Sequence, residues 1–411
     1  MGRNKKWDGY TSWSYLESNV DYAAYPLQPQ VDRVAKIWGG PKYDFGLSKT
    51  QEERVEELIE KNIIISLHEH IGVSAAGPVP PGAPRRPFIA YEGLAFSGLD
   101  AVFDNCVCST FDQVVSFLGM NQCDYAHQDF AIPALRVDDI TRAFEDGKVA
   151  VIQTIEQASA IDRNVDRVDL LYGLGVRSMG VVYSESNTLG SGLKELGDGG
   201  LTDVGYDAVK RMNKTGVVID VSHAGDRTAM ETVEASDKPI LISHCGSRTL
   251  TNNARMLPDE VLQACAEKGG VVGVEVAGFA PRTKKHPEAS IECLLEHAEY
   301  LIDLLGADHV GAGPDTMYAD HATSYRGGAP IGTVRRPAGR GNYTRPRPAG
   351  MPEVFDSAEM ARNLDYVKGL ESPSDFTNIA RGLVRDGYSD TEIAKVMGLN
   401  GLRVIKACWT K

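Results

Sequence analysis

Two histidines one residue apart, His68 and His70, end the β-branched run "NIIISLHEHIG" at 62–72, in a chain with only nine histidines among 411 residues. An imidazole can hold a divalent metal or move a proton near neutral pH. Alternation along a strand sends His68 and His70 to one side and turns Glu69 away. Further groups of this kind stand at the ends of other apolar runs. Glu156 closes "VAVIQTIE" (149–156), and Tyr183 lies near the end of "GVRSMGVVYS" (175–184). Asp220 and His223 end "GVVIDVSH" (216–223), His244 lies in "PILISHCG" (239–246), and Asp315 ends "HVGAGPD" (309–315). Imidazoles gathered with carboxylates form the N/O donor set that suits Zn²⁺ or a similar ion. A lone histidine at a strand end is more often a hydrogen-bonded structural residue, and Asp220 could simply cap a helix. The recurrence of such residues at run after run is what favours a shared site.

Positioning these groups requires rigid elements that point the same way. Two more apolar runs, "GLDAVFD" (98–104) and "GGVVGVEVAG" (269–278), bring the number of strand-like segments to eight. Helical patterns separate them, such as "LTDVGYDAVKRMNKTG" (201–216) and "LPDEVLQACAEKGG" (257–270), each ending on glycine as a helix C-terminus should. In "SKTQEERVEELIEK", Ser48 or Thr50 can cap a helix that leads into the first strand. Apolar strands alternating with helices predict a parallel sheet, and eight repeats predict a closed (β/α)₈ TIM barrel spanning 1–411 as a single domain. The rival, an open doubly wound sheet, lacks support, because no GxGxxG or phosphate loop follows any strand. In a barrel every residue named above falls on the C-terminal face, where barrel active sites lie.

Several stretches fall outside the repeat. Residues 1–50 read as an irregular N-terminal extension. Residues 71–97 and 317–352 read as long Gly/Pro-rich basic loops, the second carrying Arg326, Arg335, Arg336, Arg340, Arg345 and Arg347. Both loops would follow strands and therefore lie on the active face, as solvated loops or as substrate-facing lids. Residues 372–411 read as two C-terminal helices, the second opened by a Ser389–Glu392 capping box and stopped at Gly398.

Composition narrows the function. Hydrophobic residues make up 42% and charged residues 24%, with a net charge of −13. That balance suits a globular protein with a large core and argues against a nucleic-acid partner, whose binding rests on neutralising phosphates. Neither a signal peptide nor a long apolar span is evident, so no membrane role is expected. Seven scattered cysteines without CxxC pairs fit a reducing, cytoplasmic setting. Cys245 adjoins His244, but strand neighbours face opposite ways, so Cys245 should face the helices. His127, His286, His297 and His309 read as structural, and His321 lies inside the Arg-rich loop.

The segments "NKTGVVIDVSHAG" (213–225), "KPILISHCGSRTLTNNARMLPDEVLQACAEKGGVVGV" (238–274), "DHVGAGPD" (308–315) and the tail 366–404 resemble the membrane (renal) dipeptidase family, a branch of the amidohydrolase-like metal-dependent barrels. His223 and His244 lie 21 residues apart, and Arg255 follows His244 by eleven. The resemblance implies a binuclear zinc site and dipeptide hydrolysis. By position, His68 would bind one metal with Asp315 nearby, Glu156 would bridge, and His223 and His244 would hold the second. Arg255 would grip a substrate carboxylate, which implies a small carboxylated substrate. Four positions depart from the family pattern: His70 replaces an aspartate, Tyr183 replaces a histidine, proline precedes Asp315, and the companion aspartate two positions after Asp315 is absent.

The resulting expectation is a metal-dependent hydrolase holding Zn²⁺, as two ions or as one, through His68, His70, Glu156, His223 and His244. Asp315 would move the proton, Tyr183 would help hold the oxyanion, and Arg255 would anchor the substrate. Two other readings stay open: hydrolysis of a non-peptide amide, lactone or carbon–carbon bond, and a barrel that binds a ligand without turnover. Assembly into a homo-oligomer also stays open.

Overall fold

A computed structural model describes residues 43–73, 88–89, 94, 97–126, 130–276, 282–317, 352, 367–371 and 373–409. The N-terminal extension as far as residue 42, most of the 71–97 stretch, His127 and the Arg-rich loop with His321 lie outside them. Eight parallel strands alternate with helices: β1 (Ile65–His70), β2 (Ala101–Cys106), β3 (Val149–Ile155), β4 (Val176–Gly180), β5 (Val218–Asp220), β6 (Leu241–Cys245), β7 (Val271–Val274) and β8 (Val310–Ala312). Each pairs in parallel with the next in sequence. The ring closes just beyond β8, where Thr316 and Met317 pair in parallel with Glu69 and His70. The Asp315 N–H also donates to the His68 carbonyl at 3.2 Å. The architecture is the expected (β/α)₈ barrel.

Two cores account for its stability. Ile65, Leu67, Ala101, Phe103, Ala150, Ile152, Val218, Leu241 and Val271 fill the interior, while alternate strand residues such as Val102, Val151, Ile219, Ile242, Val272 and Cys245 pack outward against the helices. Burying each such side chain contributes roughly 1.5–3 kcal/mol. Gly311 makes room for this interior, since a Cβ there would lie 2.7 Å from Leu67 Cδ1. Cys245 faces the helices, as alternation required.

The helices follow their sequence signals. Ser48 caps α1 (Lys49–Lys61) in a reciprocal capping box with Gln51. The helix Asp203–Thr215 ends at Gly216, whose φ of 95° only glycine adopts at little cost. One expectation fails at the C-terminus. The Ser389–Glu392 box opens its helix, but Gly398 does not stop it; the helix kinks there and continues as Asn400–Cys408. A Cβ on Gly398 would lie 2.3 Å from the Ile63 carbonyl oxygen, so glycine lets this turn press against the entry to β1. Among the described residues no helix is long and apolar enough to cross a membrane.

The strands are shorter than their apolar runs. β4, β5 and β8 stop at Gly180, Asp220 and Ala312, so Tyr183, His223 and Asp315 come from the loops that follow. Asp220 turns the chain by accepting from the Ser222 N–H at 3.0 Å, and Pro314 has no N–H to offer a ladder. Three strand pairs also slip register, at β1 between Ser66 and Glu69, at β3–β4 between Gln153 and Thr154, and at β6 opposite Val272–Val274. Such irregularities re-aim side chains beside active sites. In β1 the slip lets Leu67 join the interior core while His68 and His70 still face the mouth.

Candidate metal centre

Glu156, the residue after β3, lies at the centre of the mouth. Its Oε1 is 3.1 Å from His223 Nε2, 3.4 Å from His244 Nε2 and 3.7 Å from His68 Nε2. Asp315 Oδ1 lies 3.4 Å from His68 Nε2 and 3.2 Å from His70 Nε2. The rings pack as well as converge: His68 stacks on His244 with centroids 3.4 Å apart, and Tyr183 stacks on His223 at 4.1 Å. His68, His70, Glu156, Tyr183, His223, His244 and Asp315, from the ends of six strands and the loops just past them, therefore converge at one place in the mouth.

Backing groups fix the imidazoles. Asp220 takes no place among the rings' contacts with Glu156. It accepts instead from Ser222 N–H, Ser222 Oγ–H at 2.6 Å, Ser243 N–H at 3.0 Å and Ser243 Oγ–H at 2.5 Å. Ser243 Oγ in turn lies 2.8 Å from His244 Nδ1 and 3.4 Å from His68 Nδ1. Hydrogen bonding at Nδ1 of both rings directs Nε2 at the pocket. On the other side His70 Nδ1 lies 3.0 Å from the Asn105 carbonyl, so its Nε2 also points inward.

The site's electrostatics suit a cation. Burial, with the Arg255 charge, pushes His223 down to about 4, and burial with the neighbouring His68 holds His244 well below its ordinary value, so both rings are neutral. Their Nε2 atoms lie only 3.1 Å apart beside a carboxylate. Burial opposes ionisation of Glu156, but the His223 and His244 imidazoles hold its carboxyl well below the usual range. His68 and His70 do the same for Asp315, again against burial. Burial also opposes a charge on His70, yet the contact with Asp315 lifts it to about 10, so a metal bound there would have to displace a proton from this ring.

Buried polar atoms test whether a metal fits. Glu156 Oε2 has no hydrogen-bond partner, and His68 Nε2 and Asp315 Oδ1 meet their neighbours only in ion-pair contacts. Buried groups of this kind are costly unless something pairs with them. Four donor sets converge within 4.8 Å; two of them, His68–His70–Glu156 and Glu156–His223–His244, share Glu156, and the others are His68–Asp220–His244 and His244–Glu275–Asp315. The residues present fit a divalent ion, with Glu156 placed to serve two.

Sequence reasoning missed several groups. Glu275, just past β7, is buried and pairs with the Arg255 guanidinium through Oε2. Burial pushes its carboxyl up to about 8, against the pull of Arg255. Arg255 also donates from Nη1 to the Ser222 carbonyl and from Nη2 to the His244 carbonyl, both at 2.8 Å. The signal for Glu275 was present: a lone carboxylate ending "GGVVGVEVAG", as Glu156 ends its own strand. Asp104 in β2 was missed too. It accepts from the Ile71 N–H and from Asn121 and Gln153 side chains, and burial lifts it to about 6. Glu69, expected to turn away, is buried in the barrel wall. It accepts from Thr316 N–H at 2.8 Å, Thr316 Oγ1–H at 2.7 Å and Ser66 Oγ–H at 3.0 Å.

A closed parallel barrel whose C-terminal mouth gathers imidazoles and carboxylates around one shared glutamate defines a metal-dependent hydrolase. Residues 101–322 match the family model described as membrane dipeptidase, peptidase family M19. An uncharacterised protein in the pqqA 5′ region of Klebsiella pneumoniae is 32% identical over 283 residues, 67% of this chain and 88% of that protein. Dipeptidase tcpJ of Claviceps purpurea is 25% identical over 316 residues, 75% of this chain, which spans 61% of tcpJ's own length. An amidohydrolase structure from Pseudomonas aeruginosa superposes with a TM-score of 0.67 at 26% identity, covering 87% of this chain and 99% of that one. The chain belongs to the membrane dipeptidase family, peptidase family M19.

Proposed function

We propose that this protein hydrolyses the peptide or amide bond of a small peptide-like substrate, with Zn²⁺ held by His68, His70, Glu156, His223 and His244. The observation that carries the reading is the pair of donor sets converging on Glu156 while Glu156 Oε2 lacks a hydrogen-bond partner. Family membership supports the same reaction class. Two ions are favoured over one, because each set supplies two imidazole nitrogens and both use Glu156. A bound zinc ion acidifies water toward neutrality and polarises a carbonyl oxygen.

The remaining work falls to side chains of this chain. Asp315, held ionised next to His68 and His70, accepts the proton of the attacking water and returns it to the leaving nitrogen. Its φ of 58° is rare for a non-glycine residue, and it aims the carboxylate inward from just beyond β8. Tyr183, held flat against His223, offers its hydroxyl to the oxygen that gains charge. Arg255, fixed by the Ser222 and His244 carbonyls, faces the substrate's C-terminal end. Seven free cysteines support a reducing, cytoplasmic setting.

Metal analysis of the purified protein, with turnover of a set of dipeptides before and after chelation, tests the reading. Near-stoichiometric divalent metal and chelator-sensitive hydrolysis are expected. Protein that binds no divalent ion when offered one would favour a non-catalytic binder.

A further inference from the structure

Asn105 stands one residue before the end of β2, and its side chain has no part in the metal set. Alternation along the strand places it on the inner side with Ala101 and Phe103, both members of the interior core. Strand pairing agrees with that placement on both flanks. Asn105 lies in register with Thr154 of β3, two residues before Glu156. On the other flank Glu69 pairs with Asp104, which brings His70 alongside Asn105, and His70 Nδ1 lies 3.0 Å from the Asn105 carbonyl oxygen. The Asn105 side chain therefore faces the mouth between His70 and the end of β3.

Its carboxamide has one settled end and one open end. Nδ2 donates to the Phe103 carbonyl at 3.1 Å, and a carbonyl can only accept, so the amide cannot be turned over. Oδ1 is left as the acceptor. Among the described residues it has no hydrogen-bond partner, although Asn105 is only 4% exposed. An amide oxygen buried without a donor is destabilised, so a ligand that supplies an N–H gains affinity there. Place in the ring tells which end of a substrate supplies it. With eight strands paired in sequence, β2 lies across the barrel from β6, whose following loop carries Arg255, and the metal donors lie between. A peptide held at its C-terminal end by Arg255, with the bond to be cleaved at the metal centre, extends its N-terminal residue toward β1 and β2. The donor common to every such residue is the α-amino group, and a charged N–H makes the stronger bond.

We propose that Asn105 is a specificity-determining residue whose Oδ1 accepts a hydrogen bond from the α-amino group of the substrate's N-terminal residue. The substrate class then narrows to small peptides with a free amino terminus, and N-acylated amides are disfavoured. This inference rests on the hydrolase reading given above.

The test uses the metal-loaded full chain with Ala-Ala and with propionyl-Ala, the same skeleton with hydrogen in place of the amino group. Kinetics compare their kcat/KM, and calorimetry on Asp315→Asn protein, slowed in turnover, compares their binding. Ala-Ala is expected to be favoured by about tenfold or more in both, the worth of one hydrogen bond to a charged group. Asn105→Leu, similar in shape but without the acceptor, is expected to bring both ratios close to one, chiefly through KM, with bound metal unchanged. Asn105→Asp, which keeps an acceptor, is expected to keep the preference. A native protein that treats the two compounds alike would overturn the inference, whether or not either variant folds. A folded Asn105→Leu protein that keeps the preference would overturn it as well, and so would one that loses its metal, since Asn105 would then support the metal centre instead. If neither compound is hydrolysed, yet native protein binds Ala-Ala more tightly and the Leu variant does not, the hydrolase reading falls and the role of Asn105 stands.

Discussion

The β5–β6 side of the mouth and the β8–β1–β2 side present the same kinds of side chain but hold them by different means. On the β5–β6 side a single buried carboxylate, Asp220, accepts four hydrogen bonds from Ser222 and Ser243, and those hydroxyls direct the histidines. On the other side carboxylate meets imidazole directly, His70 against Asp315, with His70 braced by a backbone carbonyl. There the buried acid, Glu69, ties down Thr316 and so closes the barrel. The first arrangement spends its polar groups on aiming ligands. The second spends them on joining the last strand to the first. The family motifs fall mostly on the first side, and the substitution of His70 for aspartate falls on the second. A site can thus retain one rigid set of metal ligands while the opposite set changes charge.

The comparison can be broken at its strongest point first. His244→Ala removes a ligand from the β5–β6 set, and turnover should fall to background together with loss of bound metal. Retention of full metal content would remove His244 from the ligand set. Asp315→Asn acts on the other side and should lower kcat by about 10²–10⁴-fold while metal content stays constant. Loss of metal instead would make Asp315 a ligand rather than a proton carrier.

Smaller effects test the supports. Ser243→Ala leaves every candidate ligand in place but frees the His244 and His68 rings, so metal affinity should weaken by about 10–100-fold. An unchanged metal titration would show that the serine–aspartate relay aims nothing. Glu69→Ala should leave the metal set chemically intact and cost about 1–3 kcal/mol of stability, because the Thr316 N–H loses its buried acceptor. A denaturant melt with an unchanged midpoint would show that the seam closes without it.

Outside both sets, Glu292 pairs with Arg385 at 2.6 and 2.9 Å, and this hydrogen bonding holds its carboxyl below the ordinary range. A depressed folded-state pKa stabilises the fold above the unfolded value of about 4.3, and the gain is lost as pH falls through the folded value. The native protein should therefore melt higher than Glu292→Gln at neutral pH, by about 1 kcal/mol or less, with the difference fading in acid. A gap that persists at low pH would point to packing rather than charge.

The candidate site residues were largely legible in the sequence because each sits at or just past the end of an apolar run, and barrel strands all end on one face. His68, His70, Glu156, Tyr183, His223, His244 and Asp315 were found in that way. Glu275 and Asp104 carried the same kind of signal and were passed over, Glu275 because one acid within an apolar stretch resembles any strand terminus. Asp220 was legible as a strand-end acid, but its service to two serines was not, since one of them, Ser243, stands on the next strand 23 residues away. Gly398 misled because glycine near a helix end usually stops the helix, whereas here its missing side chain lets the chain approach Ile63.

The sequence by itself determined the periodic alternation of strand and helix, the capping boxes and the types of residue at the mouth, since these depend on local propensity and pattern. Only the tertiary structure decided which atoms meet. The slips in β1 and β6 set the rotation of His68 and His244, and barrel closure brought Thr316 onto Glu69. The approach of β7 to the loop after β6 placed Glu275 on Arg255. Contacts between residues distant in sequence follow from how strands register and close, and no local pattern encodes that register.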